Sequence, residues 1–76
     1  MAELLAYLAR QLVDSPDEVR VESEERDDGL ALLLHVAPED IGKVIGRQGR
    51  LARALRTVIR AASAREDRRV FLDIVE

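Results

Sequence analysis

The chain has no cysteine and no tryptophan, and only one tyrosine, one phenylalanine, one histidine and two prolines in 76 residues. Without cysteine, a disulfide scaffold and a thiolate-held zinc are excluded. One histidine leaves little for a transition-metal site, and no cofactor is expected. Tyr7 and Phe71, far apart in the chain, leave little for aromatic stacking. Long apolar runs are also absent. The longest, Leu4 to Ala9, falls far short of the roughly 20 residues that span a bilayer. The N-terminus shows no basic region followed by an apolar block, so no secretory signal is expected. The expectation is a soluble cytoplasmic protein with no membrane contact, folded as one small domain over 1–76 around a thin core.

The charge is present but unevenly spread. A net −3 conceals a net −8 over residues 1–42, with eleven acidic and three basic side chains, and a net +7 over residues 43–69, with nine basic and two acidic ones. One basic segment in an acidic chain is the arrangement of a local anion-binding surface. Solvated helix faces would also carry such charge, so the motif inside the segment decides between the two readings.

Leu4, Leu5, Leu8, Leu12 and Val13 repeat at helical spacing and predict an amphipathic helix over 2–14, stopped by Asp14-Ser15-Pro16. Residues 18–25 alternate Val19, Val21 and Ser23 with charged neighbours, which predicts a strand with one wet face. Asp27-Asp28-Gly29 supplies a turn, and the apolar run 30–36 predicts a central strand paired with the first as a hairpin. Pro38 suits the start of a short helix carrying Ile41, Val44 and Ile45, with Glu39 and Asp40 at its positive end. After Gly46-Arg47-Gln48-Gly49 a longer helix runs from about Arg50 to Arg65. At about 100° per residue, its Leu51, Leu55, Val58, Ile59 and Ala62 form a core stripe opposite Arg50, Arg53, Arg56 and Arg60. Val70, Leu72 and Ile74 alternate in a last strand. The order is α-β-β-α-α-β, an α+β class. A three-stranded sheet with three helices on one face would bury Val19, Val21, Leu30, Leu32, Leu34, Val36, Val70, Leu72 and Ile74. It would leave Leu33, Phe71 and Val75 as an apolar patch on the other face, with His35 and Asp73 between them.

Two glycines three apart between helices permit backbone angles closed to other residues and remove side chains that would keep a phosphate away. The amides that open the second helix then face an anion, with Lys43, Arg47 and Arg50 nearby. Ile41-Gly42-Lys43-Val44-Ile45-Gly46-Arg47-Gln48-Gly49-Arg50 resembles the signature of a KH domain, and the element order resembles the type II, bacterial version. The whole length, including Arg69-Val70-Phe71-Leu72-Asp73-Ile74, is similar to the small single-KH bacterial proteins of the KhpA family. That resemblance implies clamping of about four nucleotides of single-stranded RNA. It also implies a role in post-transcriptional regulation or as an RNA chaperone. For partners it implies a homodimer, or pairing with a larger KH-containing protein of the KhpB (Jag) type.

Carried over by residue, Gly46 and Gly49 shape the clamp while Arg47 and Gln48 face the sugar–phosphate backbone. Ile45 and Leu51, with Val44 behind them, line an apolar groove for bases; Lys43, Arg50 and Arg53 supply charge at its mouth. Ala52 departs from the bulky aliphatic common at that position, which leaves the depth of the groove, and with it base discrimination, open. Gly42 is read as a helix-packing glycine, Arg56 and Arg60 as lying past the clamp, and His35 as structural or exposed. No nucleophilic triad or phosphate-binding loop of the nucleotide-hydrolase type is present, and no catalysis is expected. A protein-interaction adaptor and a helix-turn-helix binder of duplex DNA are the alternative readings. The self-association surface is either the open sheet patch or the small residues Ala54, Thr57 and Ala61.

Overall fold

Prolines and glycines set the boundaries between elements. A computed structural model describes residues 1–46, 49–64 and 69–75, with the backbone but not the side chain of Arg50. Helix α1 spans Ala2–Leu12, and Val13 leaves it with extended backbone angles. A short 3₁₀ turn then occupies Pro16–Glu18, where proline's fixed φ suits a first position, and the Val19 N–H bonds the Pro16 carbonyl at 3.1 Å. This turn delays the strand expected at residue 18, so β1 runs Arg20–Arg26. Asp27 and Asp28 connect it to β2, Gly29–His35. Pro38–Asp40 forms a second 3₁₀ turn leading into α2, Ile41–Ile45; α3 spans Arg50–Ala62 and β3 Arg69–Val75. The helix α3 stops at Ala62, short of the end expected near Arg65, because Ser63 and Ala64 form a turn in which the Ser63 N–H still bonds the Ile59 carbonyl; Arg65 itself lies outside the described residues. Within them, no helix is long and apolar enough to cross a membrane.

The sheet has the order β1-β2-β3. β1 pairs antiparallel with β2 from Arg20↔His35 to Arg26↔Gly29, and β2 pairs parallel with β3 from Gly29↔Arg69 to His35↔Val75. This is an α+β fold in the expected order. Leu32, Leu34, Leu72 and Val19 form one buried cluster with Leu5, Ala6 and Ala9 of α1, Val44 of α2 and Leu55 and Ile59 of α3. Val21, Leu30, Val36, Val70 and Ile74 pack around it, partly buried. All three helices thus close on the same sheet face.

Two side-chain expectations need correction. On α1, Leu4 and Leu12 are exposed, and burial centres on Leu5, Ala6 and Ala9. The small alanines let the helix approach the sheet closely. On α3 the buried residues are Ala52, Leu55, Ile59 and, just past its end, Ser63, while Val58 is 42% exposed and Ala62 is exposed. The buried face is therefore turned by roughly 50° towards the arginine stripe. The cause is lateral: α3 packs on β3 far more extensively than on α1, so its β3-facing flank closes.

The open sheet face also differs from the expected bare patch. Leu33, Phe71 and Val75 are half-buried and Ala31 is fully buried. Long charged side chains spread over them. Arg26 donates to Glu24 at 3.0 Å and reaches across the sheet to Asp73 at 3.5 Å, and Arg20 pairs with Glu22 at 3.0 Å. The Arg69 guanidinium lies 5.2 Å from the centre of the Phe71 ring. Glu22 also stands 3.0 Å from His35 Nε2, an ion pair once the imidazole is protonated but out of line for a hydrogen bond.

Candidate nucleic-acid interface

Helix α2 has only five residues, and Gly46 ends it. Its N–H bonds the Gly42 carbonyl at 2.7 Å, while φ +66° and ψ −174° take the chain out of the helix through a region open essentially to glycine alone. Gly49 then enters α3 as its N-cap in the left-handed region, φ +68° and ψ 23°. A glycine cap brings no side chain, so Gly49 itself offers no oxygen to the first-turn amides of α3. They and the helix dipole suit an anion. A Cβ at Gly49 would meet nothing within 4 Å, so the approach to this corner is open.

The sequence-derived site residues distribute as follows. Gly46 and Gly49 form the two ends of the turn, and Ile45 and Leu51, both half-buried, flank it. Arg53 is exposed on the first turns of α3. Arg47, Gln48 and the Arg50 side chain lie outside the described residues. Val44 is fully buried in the core and cannot touch a base; it fixes the turn from beneath. Ala52, 4% exposed, is likewise a core residue, which explains why a small side chain stands there.

Clefts of opposite sign lie on the helix-bearing part of the molecule. One, of about 460 Å³, is walled by Asp14, Asp17, Glu18 and Glu39 with no lysine or arginine, and its field repels phosphate. Another lies between α3 and β3, lined by Arg56, Ile59, Arg60 and the stretch Val70–Asp73. At about 190 Å³ it is smaller than the roughly 300 Å³ at which small-molecule pockets begin, so it fits an extended chain passing over it rather than an enclosed ligand.

The sequence profile of the KhpA/KhpB KH-domain family matches residues 2–74. The chain belongs to this family. The RNA-binding protein KhpA of Clostridium acetobutylicum is 52% identical over 75 residues, covering 99% of this chain and all of that one. The KhpA of Halalkalibacterium halodurans is 53% identical over the full length of both chains. That of Treponema pallidum is 51% identical over 97% of this chain and 92% of its own.

For a KhpA/KhpB-type domain, three features of the site were not legible in the residues. The turn of α3 brings Arg56 and Arg60 against β3, extending the basic surface away from the glycine turn. Lys43, read as positive charge beside the glycine loop, donates to Asp14 Oδ2 at 2.6 Å, and this hydrogen bond holds its ammonium pKa above the ordinary lysine value. Asp40, read as a charge for the helix end, is a fully buried carboxylate that accepts the Asp14 and Ser15 N–H groups at 3.1 and 3.0 Å. Asp-Ser-Pro and Pro-Glu-Asp, far apart in the chain, gave no sign of meeting.

Gly42 corrects another expectation. It is exposed, and a Cβ there would meet nothing within 4 Å, so it packs against no helix. Glycine inside a helix costs roughly 0.5–1 kcal/mol relative to alanine. Gly42→Ala should therefore raise the melting temperature by about 2–8 °C in a domain of this size, measured by circular dichroism.

Proposed function

We propose that this chain is a single-stranded RNA-binding protein that holds about four nucleotides at the Gly46–Gly49 turn, acting in the bacterial cytoplasm as a post-transcriptional regulator or RNA chaperone and not as an enzyme. The observation that carries this reading is the pair of glycines at φ +66° and +68° opening an arginine-bearing helix whose cap, Gly49, has no side chain. A phosphate satisfies the first-turn amides of α3, with Lys43, Arg47, Arg50 and Arg53 around it. Bases lie against Ile45 and Leu51, and the strand continues over the cleft lined by Arg56 and Arg60. The names of the relatives support RNA as the ligand. Duplex DNA is the weaker reading, because Ala52 is buried in the first turn of α3 and Leu51 half-buried, where a recognition helix would present reading residues.

The test is a competition titration of single-stranded RNA, single-stranded DNA and duplex DNA. RNA should win, and log affinity for a four-nucleotide RNA should fall against log salt with a slope of about −2 to −3, from three or four phosphate contacts at the glycine turn at about 0.7 each. A salt-independent titration would exclude the basic surface.

Pairing, with a second copy or with a KhpB-type partner, is part of the proposal. Leu4, Tyr7, Leu12 and Val58 are the large apolar side chains most exposed among the described residues, and all lie on the helix layer. That favours the helices over the ion-paired sheet face as the contact surface. Sedimentation at high micromolar concentration should give a dimer for the wild type and a monomer for Val58→Asp; a wild-type monomer removes the homodimer.

A further inference from the structure

Lys43 stands three residues before Gly46, in the helix turn that leads into the glycine loop, and its ammonium already donates to Asp14. The backbone that carries the Asp14 carboxylate is fixed by the fold. The Asp14 N–H is bonded to the buried Asp40, the Ser15 N–H bonds the other oxygen of the Asp40 carboxylate, and the Ser15 hydroxyl donates to Glu39 at 3.3 Å. Residues 14–15 are thereby fastened to the start of α2 at three points, and Asp14 is presented to Lys43 one turn further along. Both partners remain in solvent, with side-chain exposures of 69% and 50%, so an incoming anion can reach the ammonium.

From this arrangement we infer that Asp14 is a built-in competitor of the RNA phosphate for Lys43, lowering affinity and easing release. The inference rests on the RNA-binding reading of the glycine turn. A phosphate that reaches Lys43 meets an ammonium whose charge is already offset by Asp14 across a 2.6 Å contact, so it gains less from it than from a free lysine. Salt screens the internal pair as well, so the competition is strongest in dilute buffer.

The experiment titrates a labelled mixed-sequence single-stranded RNA into four folded proteins: wild type, Asp14→Asn, Lys43→Ala and the double variant. Asp14→Asn retains the backbone N–H that Asp40 accepts, so its melting temperature should match the wild type. Its RNA affinity should rise about two- to fivefold at low salt, the range of an exposed ion pair, and the gain should shrink at high salt. In the Lys43→Ala background the same substitution should give no gain. Equal affinity of wild type and Asp14→Asn, or a gain that persists without Lys43, overturns the inference while RNA binding itself stands. A loss of affinity in Asp14→Asn also overturns it, since Asp14 would then be aiming Lys43 at the RNA. Absence of RNA binding by all four overturns the RNA reading and this inference with it.

Discussion

Replacing Arg47 and Gln48 together by aspartate should abolish binding of single-stranded RNA while the protein stays folded. The unusual backbone of the turn belongs to Gly46 and Gly49, which the substitution leaves in place, and a change between two charged or polar side chains at a helix–helix turn usually alters stability by within about 0.5 kcal/mol. Two carboxylates at the positive end of α3 also interact favourably with its dipole, so the helix start does not suffer. RNA meets the opposite situation. The local charge changes from +1 to −2 where a phosphate must lie, and each unit of repulsion at about 4 Å costs about 1 kcal/mol even in water-like surroundings. Three units amount to about 3 kcal/mol, more than a hundredfold in affinity. Circular dichroism and RNA titration of the same sample decide it. A folded double variant with wild-type affinity would sink the KH reading of this loop and promote the adaptor reading.

Gly29→Ala should cost the fold more than any other glycine-to-alanine change at a described position. An added Cβ would stand 2.3 Å from the Arg69 carbonyl oxygen, 3.0 Å from its carbon and 3.1 Å from the Phe71 ring, at a backbone φ of +152°. Backbone cannot rotate away as a long side chain can, so β2 and β3 must separate where their parallel pairing begins. Overpacking of this kind costs about 3 kcal/mol, against a total stability of about 4–11 kcal/mol for a chain this long. The melting temperature should fall by at least about 12 °C. Thermal or urea unfolding checks it, with Gly42→Ala as the internal control expected to move the other way. A Gly29→Ala variant within about 1 kcal/mol of the wild type would mean that the Arg69 carbonyl does not stand against Gly29.

The contrast between these glycines shows where reading residues succeeds. Gly46 and Gly49 were legible because their work is local: two helices meeting across four residues demand positive φ whatever surrounds them. Gly29 resembled a turn residue after two aspartates, and its neighbour Arg69 comes from the far end of the chain. Gly42 resembled a packing residue, yet nothing packs there.

The sequence by itself determined the order of elements, the α+β class, the glycine turn and the concentration of positive charge in residues 43–69. Each follows from periodicity, backbone freedom or charge within a short stretch. Only the tertiary structure decided which way α3 turns, and so whether Val58 is core and whether Arg56 and Arg60 face β3. It alone brought Asp14 to Lys43, buried Asp40 beneath them, and drew Arg26 across the sheet to Asp73. The physical reason is the same in each case. An amphipathic pattern fixes an apolar face only to within a residue or so of rotation, and the neighbour that a charged side chain meets is set by packing between segments distant in sequence.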